Sequence, residues 1–339
     1  MRRPTIYDVA ERAGVSKSLV SLVLRDSPRV SDEKRAAVLA AVAELDYTPS
    51  RLAAGLAGTR TRSIGVVIDD FANLWFVEAL TGLRSAIGRE GYALSVADAS
   101  LNAHLGIDPL DAFRALRVDG IVLAGEATAA AVERAGVPVV VLGTRHVSGS
   151  GMPVIASDEA EGGRIAARHL MEIGHRSIVC VSGPGASATE RERGYREAMG
   201  EAGLDTCIVP ADANEEQAAR AAVAPILGGG SAAGRVRGAG APRPTAVFAV
   251  NDPMAVGVMG AAADAGLTVP GDISVVGYDD SPLADYGLVS LTSVSGDPRE
   301  VGEAAGETLL ELLSGAPAGS RTFAPRLVVR DSTSAILRP

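Results

Sequence analysis

Polar residues collect at the ends of short apolar runs. "VVIDD" ends in Asp69 and Asp70, "VVVLGTR" in Arg145, "FAVND" in Asn251 and Asp252, and "VVGYDD" in Asp279 and Asp280. Just after the first run comes "FANLWF", with Asn73, the single tryptophan Trp75, and Phe76. Carboxylates and amides accept or share hydroxyl hydrogens, and an aromatic face covers C–H surface, so the set suits holding a sugar-like molecule. Helix N-capping competes as the role of any one of these acidic residues, and the convergence of several carries the binding reading. Enzymatic groupings are missing: there is no G-x-S-x-G elbow, P-loop or H-E-x-x-H. "GPGASA" at 183–188 has the outline of a dinucleotide turn, but Pro184 sits inside it. Cys180 and Cys207 lie in apolar contexts without a second pair or a suitable histidine, so they read as reduced core thiols. No metal, cofactor or catalytic residue is expected.

A second chemistry sits at the N-terminus, in "DVAERAGVSKSLVSLVLRDSPRVS", residues 8–31. Ile6, Val9, Ala10 and Ala13 form one helical stripe, Thr5 and Asp8 form a reciprocal cap, and Gly14 can end the helix. Ser16 caps a second helix that buries Val20, Val23 and Leu24 and leaves Ser18, Ser21, Leu22 and Arg25 outside, with Lys17 beside them. A helix presented by such a tight corner fits the major groove of double-stranded DNA and reads base edges. A third helix from Ser31, with Val38, Ala41, Val42 and Leu45 inward, completes the bundle. Next, "YTPSRLAAGLAGTRTRS" allows about two helical turns between Pro49 and Gly58, too few to be stable without a partner.

These side chains require two kinds of scaffold. Residues 1–62 carry a charge balance of +4 and the rest −13, so a basic head precedes an acidic body and only the head suits a polyanion. From residue 63 short β-rich runs alternate with amphipathic helices: "SIGVVI", "ALSVAD", "GIVLAG", "PVVVLG", "PVIASD", then "SIVCVS", "TCIVPA", "TAVFAVN" and "ISVVGY". This alternation makes parallel doubly wound sheets, and its repetition makes two lobes with a cleft beyond the strand ends. The 339 residues are 47% hydrophobic and 22% charged, which excludes a disordered chain. No apolar run is long enough to cross a membrane and no signal peptide is seen, so a cytoplasmic location is expected. "LGGGSAAGRVRGAGAPRP", 227–244, reads as a mobile surface insertion.

"TIYDVAERAGVSKSLVSLVL", "RVSDEKRAAVLAAVAELDYTPSRLAAGLAG", "VIASDEAEGGRIAARHLMEIGHRSIVCVSGP", "RERGYREAM" and "PTAVFAVNDPMAVGVMGAAADAGLTVPGDISVVGYDD" resemble the lactose-repressor/galactose-repressor family of bacterial transcription regulators. The resemblance implies an all-α helix-turn-helix head (1–47), a hinge helix and linker (48–62) and an α/β two-lobed, periplasmic-binding-protein-like body (63–339). The N-lobe is expected at about 63–160 plus 291–324 and the C-lobe at about 161–290 plus 325–339. A homodimer would read a palindromic operator, with Leu56 wedged between central base pairs. The implied DNA-facing set is Thr5, Tyr7, Ser16, Lys17, Ser18, Leu19, Ser21, Leu22, Arg25, Ser31, Ser50, Arg51, Ala53 and Leu56. The implied effector contacts are Asn73, Trp75, Phe76, Arg145, Asp158, Arg191, Asn251, Asp252 and Asp279, for a carbohydrate-like small molecule. Repression is the expected sense. Activation by the same architecture, or a small-molecule-binding protein without a DNA role, are the alternatives. Three departures mark this chain. Leu19, Leu22 and Arg25 replace the usual threonine, arginine and asparagine, "NLWF" replaces "NPFF", and Gly296 stands where a glutamine is common, so an altered operator and an unusual ligand are expected.

Overall fold

Thr5 opens the first helix through the bonding its spacing from Asp8 predicts: the Asp8 carboxylate accepts from the Thr5 N–H (2.7 Å) and hydroxyl (2.6 Å), and Thr5 Oγ1 accepts from the Asp8 N–H. The computed structural model describes residues 4–24, 27–47, 60–69, 71–99, 106, 108–124, 129–144, 151–228 and 243–336. The expectations for Arg25, Ser50, Arg51, Ala53, Leu56, Asp70 and Arg145, and for most of the glycine-rich stretch 227–244, fall outside these residues. Two compact units emerge, Met1–Arg62 and Ser63–Pro339.

The first unit holds α1 (Ile6–Arg12), α2 (Lys17–Leu24) and α3 (Asp32–Glu44). Gly14 adopts φ +66°, the left-handed turn that only glycine takes cheaply, and the chain re-enters helix three residues later, at Lys17. Ser16 Oγ then accepts from the Leu19 N–H at 3.2 Å. Val9, Ala10, Val20, Val23, Val38 and Ala41 meet in one core with Val30 and Tyr47. Leu24, Val42 and Leu45 pack at its margin, half-buried.

The second unit contains two six-stranded sheets. Its strands are β1 (Ser63–Ile68), β2 (Ala93–Asp98), β3 (Gly120–Ala124), β4 (Val139–Leu142), β5 (Val154–Ser157), β6 (Ile178–Ser182), β7 (Ile208–Pro210), β8 (Ala246–Ala249), β9 (Ser274–Tyr278), β10 (Thr292–Ser295), β11 (Arg321–Phe323) and β12 (Arg326–Val328). The helices are α4 (Trp75–Arg89), α5 (Pro109–Leu116), α6 (Ala129–Ala135), α7 (Glu159–Glu172), α8 (Ala186–Glu201), α9 (Glu216–Leu227), α10 (Asp252–Asp264) and α11 (Pro298–Ser314). One sheet runs β11-β5-β4-β3-β1-β2, all parallel, and the other β12-β10-β9-β8-β6-β7, with only β12 antiparallel. The nine runs read from the sequence are the first nine strands. Both sheets are covered by helices, so their central strands β1, β3, β6 and β9 are buried and nearly all apolar. Cys180 is buried, Cys207 is half-buried, and neither is in a disulfide.

The lobe boundary needs one correction. Thr292–Ser295 does not belong with the N-lobe, because its backbone pairs with β9 on one side and β12 on the other, in the second sheet. The chain therefore returns to the first lobe at 296–297. At that crossover a Cβ on Gly296 would lie 2.9 Å from Ser157 Cβ and Oγ, so Ser157 already fills the space a side chain there would need.

Helix pairs without room for side chains position the cleft. A Cβ on Gly163 of α7 would strike the Arg191 carbonyl, and one on Gly194 of α8 would strike the Ala160 carbonyl. Backbone-to-backbone approach at these two glycines brings the first turn of α7 beside the middle of α8. Gly82 and Gly302 lock α4 to α11 in the same way in the other lobe.

Candidate functional site: a charged cleft and an exposed helix

The two sheets open a cavity of about 280 Å³ between their strand ends. From the first lobe it receives Asp69, Asn73, Trp75 and Gly143; from the second, Glu159, residues 184–188 at the start of α8, Arg191, Asn214, Val250, Asn251 and Asp279. The loop before Trp75 is pinned by Asp98, which accepts the Phe71 N–H at 2.7 Å, and Asn73 Oδ1 accepts the Trp75 N–H at 3.0 Å. Trp75 stacks edge-on against Phe76, with centroids 5.3 Å apart. Across the mouth, Ser187 Oγ donates to the Thr144 carbonyl at 3.4 Å.

Arg191 is the centre of the cleft's electrostatics. Its Nε donates to Glu159 at 2.6 Å, one Nη to Asp279 at 2.9 Å and the other to the Val250 carbonyl at 2.7 Å. Its plane lies over the Tyr278 ring, 3.7 Å from the centroid. Arg191 and its two ionic partners are all buried. Burial pushes the Asp279 carboxyl up to about 7, with Arg191 opposing the rise and the carboxylates of Asp252 and Glu159 reinforcing it. Asp279 also holds φ +100°, a conformation L-residues rarely adopt, fixed by its N–H donating to the Val294 carbonyl at 2.8 Å.

Asn73, Trp75, Arg191, Asn251 and Asp279 are thus brought together as expected from the sequence. Asn251 does two jobs, since Oδ1 caps α10 through the Met254 N–H while Nδ2 donates to the Asn214 carbonyl. Three residues differ. Asp158 does not line the cavity, because its carboxylate caps α7 through the Glu161 N–H at 2.9 Å, and the neighbouring Glu159 turns inward instead. Asp252 does not line it either. Fully buried, it accepts the Ser293 hydroxyl at 2.6 Å and the Ser281 N–H at 2.7 Å, and desolvation pushes it up to about 6. Phe76 is core, 2% exposed, and borders only an adjoining recess beside Asn73 and Asn214. The sequence reading missed Glu159, Asn214 and Tyr278. Each acts through a partner distant in sequence.

On the head unit, Lys17 and Ser18 are exposed at the start of α2, Ser21 is half-exposed, and Leu22 is 39% exposed. Leu19 leans on the head core. Lys17 Nζ donates to Tyr7 Oη at 3.2 Å and lies 5.0 Å from its ring centre, so α1 and α2 share one polar surface. Ser16 and Ser31 are exposed at helix starts, whereas both polar groups of Thr5 are engaged with Asp8. Among the described residues no group of side chains could hold a metal, and no helix is long and apolar enough to cross a membrane.

Comparison with known proteins covers both units. A profile for bacterial regulatory proteins of the lacI family matches residues 5–50, and one for the periplasmic binding protein-like domain matches 167–333. The HTH-type transcriptional repressor PurR of Vibrio campbellii is 36% identical over 97% of this chain and 98% of its own. The HTH-type transcriptional regulator DegA of Bacillus subtilis is 32% identical over 98% of each. Among solved structures, a lac repressor dimer bound to operator and the anti-inducer ONPF superposes with TM-score 0.82 at 28% identity, covering 98% of this chain and 100% of that one. A complex of the transcriptional regulator CelR with cellobiose gives TM-score 0.68 at 29% identity over 97% and 100%.

Proposed function

The chain belongs to the lacI family of bacterial regulatory proteins and is a DNA-binding transcriptional regulator, and from that premise we propose that it is a dimeric cytoplasmic repressor switched by a polyhydroxylated small molecule held in the cleft. The observation that carries this reading is the cavity around Arg191. It offers hydrogen-bond donors and acceptors together with the Trp75 ring, the combination that hydroxyl groups and C–H faces require. Asn73, Trp75, Arg191, Asn251 and Asp279 are the proposed effector contacts, with Glu159 added and Asp158 and Asp252 assigned to support.

In the head, Lys17, Ser18, Ser21 and Leu22 are the proposed base-reading residues, because α2 leaves them outside its core. A small molecule can change operator affinity only by its differential affinity for two arrangements of the body, typically about 1–3 kcal/mol of coupling. The cleft lies between two lobes joined by three crossovers, near 158, 296 and 324, so closing it moves one sheet against the other. The test is operator binding by fluorescence anisotropy, titrated against a panel of sugars. At least one sugar should shift the affinity for wild type, and Asp279→Asn, its fold checked by circular dichroism, should lose that shift. A variant that responds like wild type removes Asp279 from the site.

A further inference from the structure

Arg191 would ordinarily mark a cleft as a receptor for anions, since a guanidinium matches carboxylate and phosphate geometry. Here that capacity is already used from within. Glu159 holds Nε at 2.6 Å, Asp279 holds one Nη at 2.9 Å, the Val250 carbonyl takes the other, and Tyr278 covers a face of the group. Glu159 is 6% exposed and Asp279 3%, so water screens neither well. Counting formal charges, two carboxylates face one guanidinium, and Asp69 adds a third on the opposite lobe.

We infer that Glu159 is the charge-selecting residue of this cleft: with Asp279 it consumes the positive charge of Arg191, so the effector is not an anion. This rests on the reading of the cleft as the effector site. A ligand hydroxyl can donate to Glu159 or Asp279 while accepting from Arg191 or from the backbone N–H groups at the start of α8, which carries no side-chain cap. A carboxylate or a fully ionised phosphate group can only accept. It would meet the buried carboxyl groups of Glu159 and Asp279, already bonded to Arg191, and have no proton to offer them. Sugar acids and sugar phosphates are therefore excluded, and neutral polyols admitted.

The experiment is thermal stabilisation of the full chain by matched probes at constant ionic strength: glucose against glucuronate, galactose against galacturonate, and inorganic phosphate alone. Wild type should be stabilised by a neutral sugar and bind its uronate about 100-fold more weakly, the expected scale of like-charge exclusion. Glu159→Gln should narrow that gap at least about tenfold and gain a stabilisation by phosphate, whereas Glu159→Asp, which keeps the charge, should retain discrimination. Uronate or phosphate binding to wild type as tightly as the neutral sugar would overturn the inference while leaving the cleft as the effector site. An unchanged gap in a folded Glu159→Gln variant would overturn it equally. Silence from every probe would overturn both the inference and the cleft reading. The wild-type arm decides even where Glu159→Gln does not fold.

Discussion

Replacing Arg191 by methionine isolates the term on which the cleft depends. The substitution keeps most of the side chain's length and apolar stem but leaves Glu159 and Asp279, both buried, without their shared counter-charge. Where both carboxyls are ionised, like charges about 5 Å apart at an effective dielectric of about 20 repel by about 3 kcal/mol. Breaking a buried pair from one side costs about 3–5 kcal/mol in measured cases, which agrees. For a unit of this size that means a fall of about 6–20 °C in Tm. The deficit should depend on pH. Asp279 is already pushed up to about 7 with the guanidinium present, so without it the folded-state value lies further above that of the unfolded chain. A raised folded value means that protonation favours the fold. The deficit should therefore be largest near pH 8 and shrink towards pH 5. The triple variant Arg191→Met, Glu159→Gln, Asp279→Asn should recover most of the loss, since an uncharged replacement of the whole cluster carries no orphaned charge. Calorimetry or denaturant unfolding of the body transition at three pH values is the assay. A loss below about 1 kcal/mol at pH 8, or a deficit that grows as pH falls, would refute the reasoning.

Two further outcomes are expected. Asp252, pushed up to about 6 by burial, contributes stability that is present below the unfolded value near ~4 and lost as pH rises through 6. From pH 4 to 7.5, wild type should thus lose about 2–3 kcal/mol relative to Asp252→Asn in urea unfolding, and a pH-independent difference would show that burial does not raise Asp252. Leu22→Arg places a guanidinium on the exposed face of α2. Sequences selected from a random duplex library by this variant should gain a guanine at one symmetric position of each half-site, worth about 1–3 kcal/mol, and an unchanged motif would mean that position 22 does not reach the bases.

Much of the fold was legible because two periodicities are clean. The first nine strands are apolar runs bounded by turn residues, and the head helices announce their caps through Thr5, Asp8, Gly14 and Ser16. The last three strands were not. In β10 the buried residues Thr292, Ser293 and Ser295 are polar, and their hydroxyls bond to groups such as Arg330, Thr333 and Asp252, so the segment shows no apolar run. β11 and β12 have three residues each and are strands only because of their neighbours. The same distinction separates the site residues. Strand-end positions such as Asp69, Asn251 and Asp279 follow from where a parallel sheet stops. Glu159 depends on how closely α7 approaches α8 through Gly163 and Gly194, a contact that no local pattern displays. The capping role of Asp158 is visible locally, since Asp158 with Glu161 three residues on is the spacing of a helix cap.

The central claim is that this chain reads DNA and that a molecule in the cleft changes how tightly it does so. The most direct measurement is selection of bound duplexes from a random library by the purified full-length protein at near-physiological salt, with and without a neutral sugar pool. The account predicts an enriched palindrome whose recovery changes when the sugars are added. No enriched motif in either condition would contradict it.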